Sequence, residues 1–296
     1  MSTARRFAVV GAWIVATVLV VLCARTIDWS HAGAVFAAAN PWWLIPALAA
    51  NAAVLVCWAG FWRALVPHGE PRVTLRRMFE IVSTASSLMN TVPFGGGHAA
   101  SVALLNRRAG LSMRGALAVL ALDQLGEGLI KVTIFLGVAA MDPLPTWMRA
   151  GVATASIGVA VWLVALLVMS RRARELSLLK DAGRSLSAFA YIAAMKGIEL
   201  LAIVAVQRAF GVTISPGGTL LVLAALILAT MLPVAPGNLG TYEAAVFLAY
   251  RYLGLGPAQA LSLAIVQHLA FLLPAVGVGY SFVSARTFSR SAIASR

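Results

Sequence analysis

The chain has 296 residues, 61% of them hydrophobic and only 11% charged, and its mean hydropathy is +0.89. That composition excludes a water-soluble domain, and repeated apolar segments of bilayer length predict an all-α polytopic membrane protein. A net charge of +13 would point to nucleic acid in a soluble protein. In a membrane protein Arg and Lys gather in cytoplasmic loops and against anionic headgroups, so no nucleic-acid partner is expected.

Taken in order, six segments read as full spans: about Phe7–Cys23, Pro41–Leu65, Gly115–Met141, Trp147–Met169, Leu186–Val206 and Pro257–Val283. The first has a basic lead-in like a signal peptide, but no small-residue cleavage site follows, so it is expected to be retained. Cys23 and Cys57 both lie in apolar stretches and are expected to pack as small hydrophobes. Trp42, Trp43, Trp29 and Trp147 suit an interfacial aromatic belt.

Two further apolar segments are interrupted. Met78–Leu105 is broken at Pro93, Phe94, Gly95, Gly96, Gly97 and His98; Thr219–Tyr250 is broken by a run with Pro233, Pro236, Gly237, Asn238, Gly240, Tyr242 and Glu243. Such breaks survive at membrane depth only where protein or an internal cavity covers the freed backbone groups. Each segment is either one span or a re-entrant hairpin, and charge counting separates the two. With hairpins, 17 Arg and Lys fall inside and 4 outside; with eight full spans the split is 11 to 10. The positive-inside rule therefore favours six spans plus two re-entrant helical hairpins, with both termini cytoplasmic.

The halves echo one another. Pro93–Gly97 aligns with Pro236–Gly240 at an offset of 143, and Gly110–Leu117 aligns with Gly254–Leu261 at 144. The predicted organisation is a single transmembrane domain over residues 1–296, made of repeat 1 (about 7–141) and repeat 2 (about 147–283) in opposite orientation. Inverted repeats with broken helices are the architecture of alternating-access transporters.

The chemistry-bearing residues are few. Asp123, Glu127, Glu199 and Glu243 lie where lipid should be, and a charge at the bilayer centre costs at least about 2.5–3.5 kcal/mol unless it is partnered. Asp123, Glu127 and Lys131 recur at i, i+4 and i+8 on one helix face, and Lys196 and Glu199 at i, i+3. They are either internal ion pairs that hold helices together or the lining of a polar path. The glycine-rich tips could hold an anion on backbone N–H groups, or merely permit a tight turn and close packing. His98 follows the first tip, and His268 beside Gln267 in the last span could face Asp123. The four histidines show no metal-ligand spacing, and no nucleophile–base pair or phosphate loop is present.

The run Pro233-Val-Ala-Pro236-Gly237-Asn-Leu-Gly240-Thr-Tyr-Glu243 resembles the P-x-x-P-G-G-L-G-x-x-E signature of the lysylphosphatidylglycerol synthase transmembrane-region family, the flippase-like membrane proteins. Leu105–Ser112 with Ala116-Leu117-Ala118, and Asp123–Leu129, resemble two further family blocks. The resemblance spans most of residues 80–280. It implies translocation of charged phospholipids, or a place in hopanoid, glycolipid or polyprenyl-linked pathways, with Asp123, Glu127, Pro236, Gly237, Gly240 and Glu243 at matching positions. Two departures stand out: His98 where the family usually has an acid, and Gln124 where it usually has Arg. Both alter the charge offered to a headgroup, so the family's best-known substrate is not assumed for this chain. The soluble aminoacyl-transferring domain of bifunctional members has no counterpart here, so lipid aminoacylation by this chain alone is not expected.

The expectation is thus a lipid transporter or flippase of the cytoplasmic (inner) membrane. Asp123, Gln124, Glu127, Lys131, Lys196, Glu199, Glu243 and His268 would line its cavity. No cofactor or metal is expected; the partners expected are a membrane lipid substrate and lipid-biosynthesis enzymes. The alternatives are a membrane-embedded transferase on a lipid-linked substrate, using Asp123 and Glu127 to hold a metal, and a non-catalytic partner of a lipid-modifying complex.

Overall fold

The computed structural model describes residues 37, 39–92, 96–141, 144–170, 181–231 and 235–294. The expected first span Phe7–Cys23, the tip residues Pro93 and Gly95, and Pro233 lie outside the described residues. Among the described residues all regular structure is helical: α1 (Leu44–Leu65), α2 (Leu75–Thr91), α3 (Gly96–Ala109), α4 (Met113–Met141), α5 (Thr146–Ser170), α6 (Ala182–Ala209), α7 (Pro216–Met231), α8 (Thr241–Tyr252) and α9 (Pro257–Ala294). Short 3-10 turns at Pro41–Trp43 and Pro236–Asn238 precede α1 and α8. The protein is an all-α, multi-pass membrane protein.

The helices begin where the sequence offers an acceptor for orphan N–H groups. Thr74 caps α2 through the Arg77 N–H, Ser112 caps α4 through Gly115, Asp181 caps α6 through Arg184, and Ser215 caps α7 through Gly218. Among the described residues, four segments are long and apolar enough to cross a bilayer: Pro41–Leu65, Thr146–Ala165, Ala182–Ala209 and Pro257–Ala285. Helix α4 has the length, with 29 residues, but carries Asp123, Glu127 and Lys131 within it.

The two interrupted segments fold back on themselves. At ~1.5 Å per residue, α2 and α3 are ~25 Å and ~21 Å long, and α7 and α8 are ~24 Å and ~18 Å. Each arm is shorter than the ~30 Å hydrocarbon core. The arms pack side by side, α2 on α3 and α7 on α8.

Hydrogen bonds locate the open ends of these hairpins. Arg77 near the start of α2 donates to the Arg108 carbonyl at the end of α3 (3.2 Å). Glu70, between α1 and α2, accepts from the Ser112 N–H (2.9 Å) and hydroxyl at the start of α4. Arg184 at the start of α6 donates to the carbonyls of Ala64 and Val66 at the end of α1. All these termini therefore share one end of the bundle, and Arg63, Arg72, Arg76, Arg77, Arg107, Arg108, Arg114 and Arg184 cluster there. The second hairpin opens at the other end. Thr219 of α7 and Tyr250 of α8 both bond Gln207 near the end of α6 (3.2 and 3.4 Å). Asn40, just before α1, donates to the Ala209 carbonyl at 2.7 Å.

Helix α1 packs most extensively on α6, and apart from those of α5 the remaining helix contacts come in matched sets. Exchanging α1 with α6, α2 with α7, α3 with α8 and α4 with α9 converts each into another. Contact α1–α2 becomes α6–α7, α3–α4 becomes α8–α9, α2–α9 becomes α7–α4, and α1–α9 becomes α6–α4. One apolar core forms around Phe61, Trp62, Met78, Ile81 and Val119, the other around Phe135, Leu221, Tyr242 and Tyr250; Ile130 packs against both. Glycine permits two close crossings, as in other membrane helix pairs. A Cβ on Gly60 of α1 would enter the Tyr191 ring of α6, and one on Gly279 of α9 would meet the Ser83 carbonyl of α2.

Candidate functional site

Three polar groups lie inside this frame. The first is Asp123 on α4, whose buried carboxylate is saturated with N–H donors. Trp62 Nε1 (2.7 Å) and Trp58 Nε1 (3.1 Å) donate to Oδ1, and Gln124 Nε2 (3.0 Å) donates to Oδ2. Trp58 and Trp62 are one turn apart on α1, their rings edge-to-face at 5.5 Å. A buried indole N–H needs an acceptor, and a buried carboxylate needs donors. Each supplies what the other lacks.

One turn further along α4 lies a four-residue ion network. Glu127 Oε2 is 3.2 Å from Lys131 Nζ and 3.4 Å from Lys196 Nζ, and Lys196 also holds both oxygens of Glu199 at 3.1 Å. The Lys196–Glu127 pair joins α6 to α4. Two cations and two anions leave the cluster neutral, which is what a low-dielectric setting requires. The side chains keep 11–22% of their surface accessible, so the cluster borders open space.

The third group is the second tip. Gly237, Asn238 and Gly240 take φ values of 60°, 55° and 84°, the left-handed region that glycine enters without penalty and Asn tolerates. Helix α8 then starts with Glu243 in its first turn, and Glu243 Oε2 accepts the Gly240 N–H at 2.8 Å. The anion position at this helix N-terminus is thus taken by the chain's own carboxylate. The other Glu243 oxygen is 2.7 Å from His268 Nδ1, and His268 Nε2 is 2.8 Å from the Gly237 carbonyl oxygen. Tyr242 stacks on the His268 ring at 4.0 Å. Behind it, Tyr242, Gln267, Tyr250, Gln207 and Thr219 form a buried hydrogen-bonded chain.

The groups approach one another. The Pro236–Asn238 turn packs against α2, so the second tip reaches the closed end of the first hairpin. Lys131 lies within Coulombic range of His98 on α3, and Glu199 within range of Tyr242. The ion network therefore neighbours one residue of each hairpin, His98 and Tyr242. A separate apolar groove of about 270 Å³ runs between α1, α4 and α6, with Phe61, Leu125, Gly126 and Ile192 in its wall. Gly126 adjoins Glu127, and Ile192 is one turn before Lys196.

The family model of the lysylphosphatidylglycerol synthase TM region matches residues 8–279, most of the chain. The chain belongs to this family. Membership makes it a multi-pass membrane protein related to lipid handling. No curated protein and no solved structure matches it.

Of the residues singled out from sequence, Glu127, Lys131, Lys196 and Glu199 come together. Gln124 serves Asp123 while remaining solvent- or lipid-exposed. His268 pairs with Glu243 and not with Asp123, whose Oδ1 accepts from the two tryptophans and whose Oδ2 accepts from Gln124. In the first tip Gly97 abuts the Met89 backbone of α2, which explains why no larger residue stands there. Missing from the sequence-based set were Trp58, Trp62, Gln207, Tyr250 and Gln267. A signal for the tryptophans existed: Trp58 and Trp62 stand at i and i+4, which puts both rings on one face of α1.

Proposed function

We propose that this protein moves an amphipathic lipid across or out of the cytoplasmic membrane. It would sit there as six spans and two re-entrant hairpins, both termini cytoplasmic, with residues 7–141 and 147–283 as inverted repeats. The 17-to-4 charge split, the matched contact sets and the opposite open ends of the two hairpins support that arrangement. The observation carrying the transport reading is the neutral, partly accessible cluster of Glu127, Lys131, Lys196 and Glu199, which neighbours His98 of the first hairpin and Tyr242 of the second.

A headgroup crossing hydrocarbon must exchange water for equivalent polar partners. Lys131 holds a single carboxylate and has the most accessible side chain of the four (22%). It is the ammonium best placed to trade Glu127 for a lipid phosphate. The groove between α1, α4 and α6 would take the tail. The cargo class is then an anionic lipid, or a glycosylated or isoprenoid lipid joined through phosphate, supplied by lipid-biosynthesis enzymes.

The test is reconstitution into liposomes holding fluorescent phosphatidylglycerol, a fluorescent glycolipid or a polyprenyl phosphate, with dithionite quenching of the outer leaflet. Protein-dependent loss of the inner-leaflet signal is expected for at least one of these, slowed in Lys131→Met. No movement of any of them would refute the reading.

A further inference from the structure

The contacts of His268 fix how many protons the second tip holds. The Gly237 carbonyl can only accept, so His268 Nε2, at 2.8 Å, must carry a hydrogen. On the other side, Nδ1 and Glu243 Oε1 are 2.7 Å apart, a hydrogen-bond distance that two lone pairs cannot share. One hydrogen therefore lies between them, as imidazolium facing carboxylate or as neutral imidazole facing carboxylic acid. Either way the pair has one proton more than an ionised Glu beside a neutral His, and its charge is zero.

We propose that Glu243 and His268 form a proton-binding site, and that its proton latches the second tip against α9. This rests on the transport reading and names its coupling ion as H⁺. Release of the proton to water leaves a carboxylate and an imidazole with a single N–H. If that hydrogen stays on Nε2, the Nδ1 lone pair meets the carboxylate. If it moves to Nδ1, the buried Gly237 carbonyl loses its donor. One of the two bonds is lost in each case, and the tip is freed as pH rises.

The surroundings keep this site separate. On α8 the neighbours are Tyr242, stacked on the ring, and Tyr250 beyond Gln267. On α6 the charged groups on this side are Glu199 and its partner Lys196, with Arg184 and Arg208 at the two ends of the helix. The α2 segment 81–91, which packs on α9, has no titratable side chain, and α1 contributes only Cys57 and the terminal Arg63. Glu243 keeps 18% of its side chain accessible against 3% for His268, which gives the proton an exit.

The experiment uses Leu239→Cys, at the tip, in full-length protein with Cys23 and Cys57 changed to alanine. Labelling by a small maleimide in liposomes is followed from pH ~5 to ~9, which covers the pH ~5 to ~8 range in which histidine ordinarily titrates, each rate divided by that of a free thiol control. The labelling rate is expected to rise severalfold with pH. Glu243→Gln can keep both contacts, its amide N–H donating to Nδ1 and its oxygen accepting from Gly240, but it has no proton to lose; its rate is expected to stay low and flat. A flat wild-type profile overturns the proposal, as does a Glu243→Gln profile that still rises. If Glu243→Gln fails to fold, ring ¹⁵N spectra of histidine-labelled wild type decide. His268 signals, assigned by their loss in His268→Gln, must change with the labelling step, and a step without them overturns the latch. Lipid movement is measured in the same liposomes. A pH-gated tip without lipid movement sinks the transport reading alone, whereas lipid movement with an ungated tip sinks only the latch.

Discussion

Removing Lys196 should cost far more than removing Lys196 and Glu199 together. Lys196 Nζ holds Glu199 at 3.1 Å and Glu127 at 3.4 Å, and Lys196→Met leaves two carboxylates sharing Lys131. Breaking one side of a buried ion pair costs roughly 3–5 kcal/mol, because the partner is left uncompensated. The Lys196 and Glu199 side chains are 11% and 18% accessible, so the low end, about 3 kcal/mol, is expected. Lys196→Met with Glu199→Gln leaves the neutral Glu127–Lys131 pair, and stability should return to within about 1 kcal/mol of wild type. Equilibrium unfolding by SDS in mixed micelles, followed by circular dichroism, measures both variants. A double variant as unstable as the single one would refute the view that charge balance holds α4 against α6.

Three further outcomes follow from the packing. Trp62→Phe removes the shorter of the two indole bonds to Asp123 and should cost about 1–3 kcal/mol in the same unfolding assay. Gly279→Ala places a methyl against the α2 backbone and should cost about 1–3 kcal/mol, while Gly197→Ala on α6, with nothing within 4 Å, should be neutral or stabilise by up to about 1 kcal/mol. Thr213→Cys, on the exposed turn between α6 and α7, should react with an impermeant maleimide from outside intact cells; labelling only after lysis would replace the hairpins with eight full spans.

Local signals revealed much of the architecture. Proline and glycine mark where α2 gives way to α3 and α7 to α8, because proline lacks a backbone donor and Gly237 and Gly240 take left-handed φ values there. The predicted span Pro41–Leu65 reappears with the same bounds, since its start depends on Asn40 and Pro41 alone. The spacing of Asp123, Glu127 and Lys131 put them on one face, and the Glu127–Lys131 pair follows directly.

Which group meets which across helices was not legible. His268 could be placed opposite Asp123 from the repeat alignment, yet a carboxylate binds whichever donors packing brings nearest. Helix α1 brings Trp58 and Trp62 to Asp123 from more than 60 residues away, and α9 brings His268 to Glu243 over 25. Composition, helix periodicity and broken-helix chemistry are properties of short stretches, so the sequence determined the helical class, the buried charges and the two breaks. The pairing of those charges and the one-proton contact at the second tip depend on the angle and depth at which whole helices pack, and only the tertiary structure decided them.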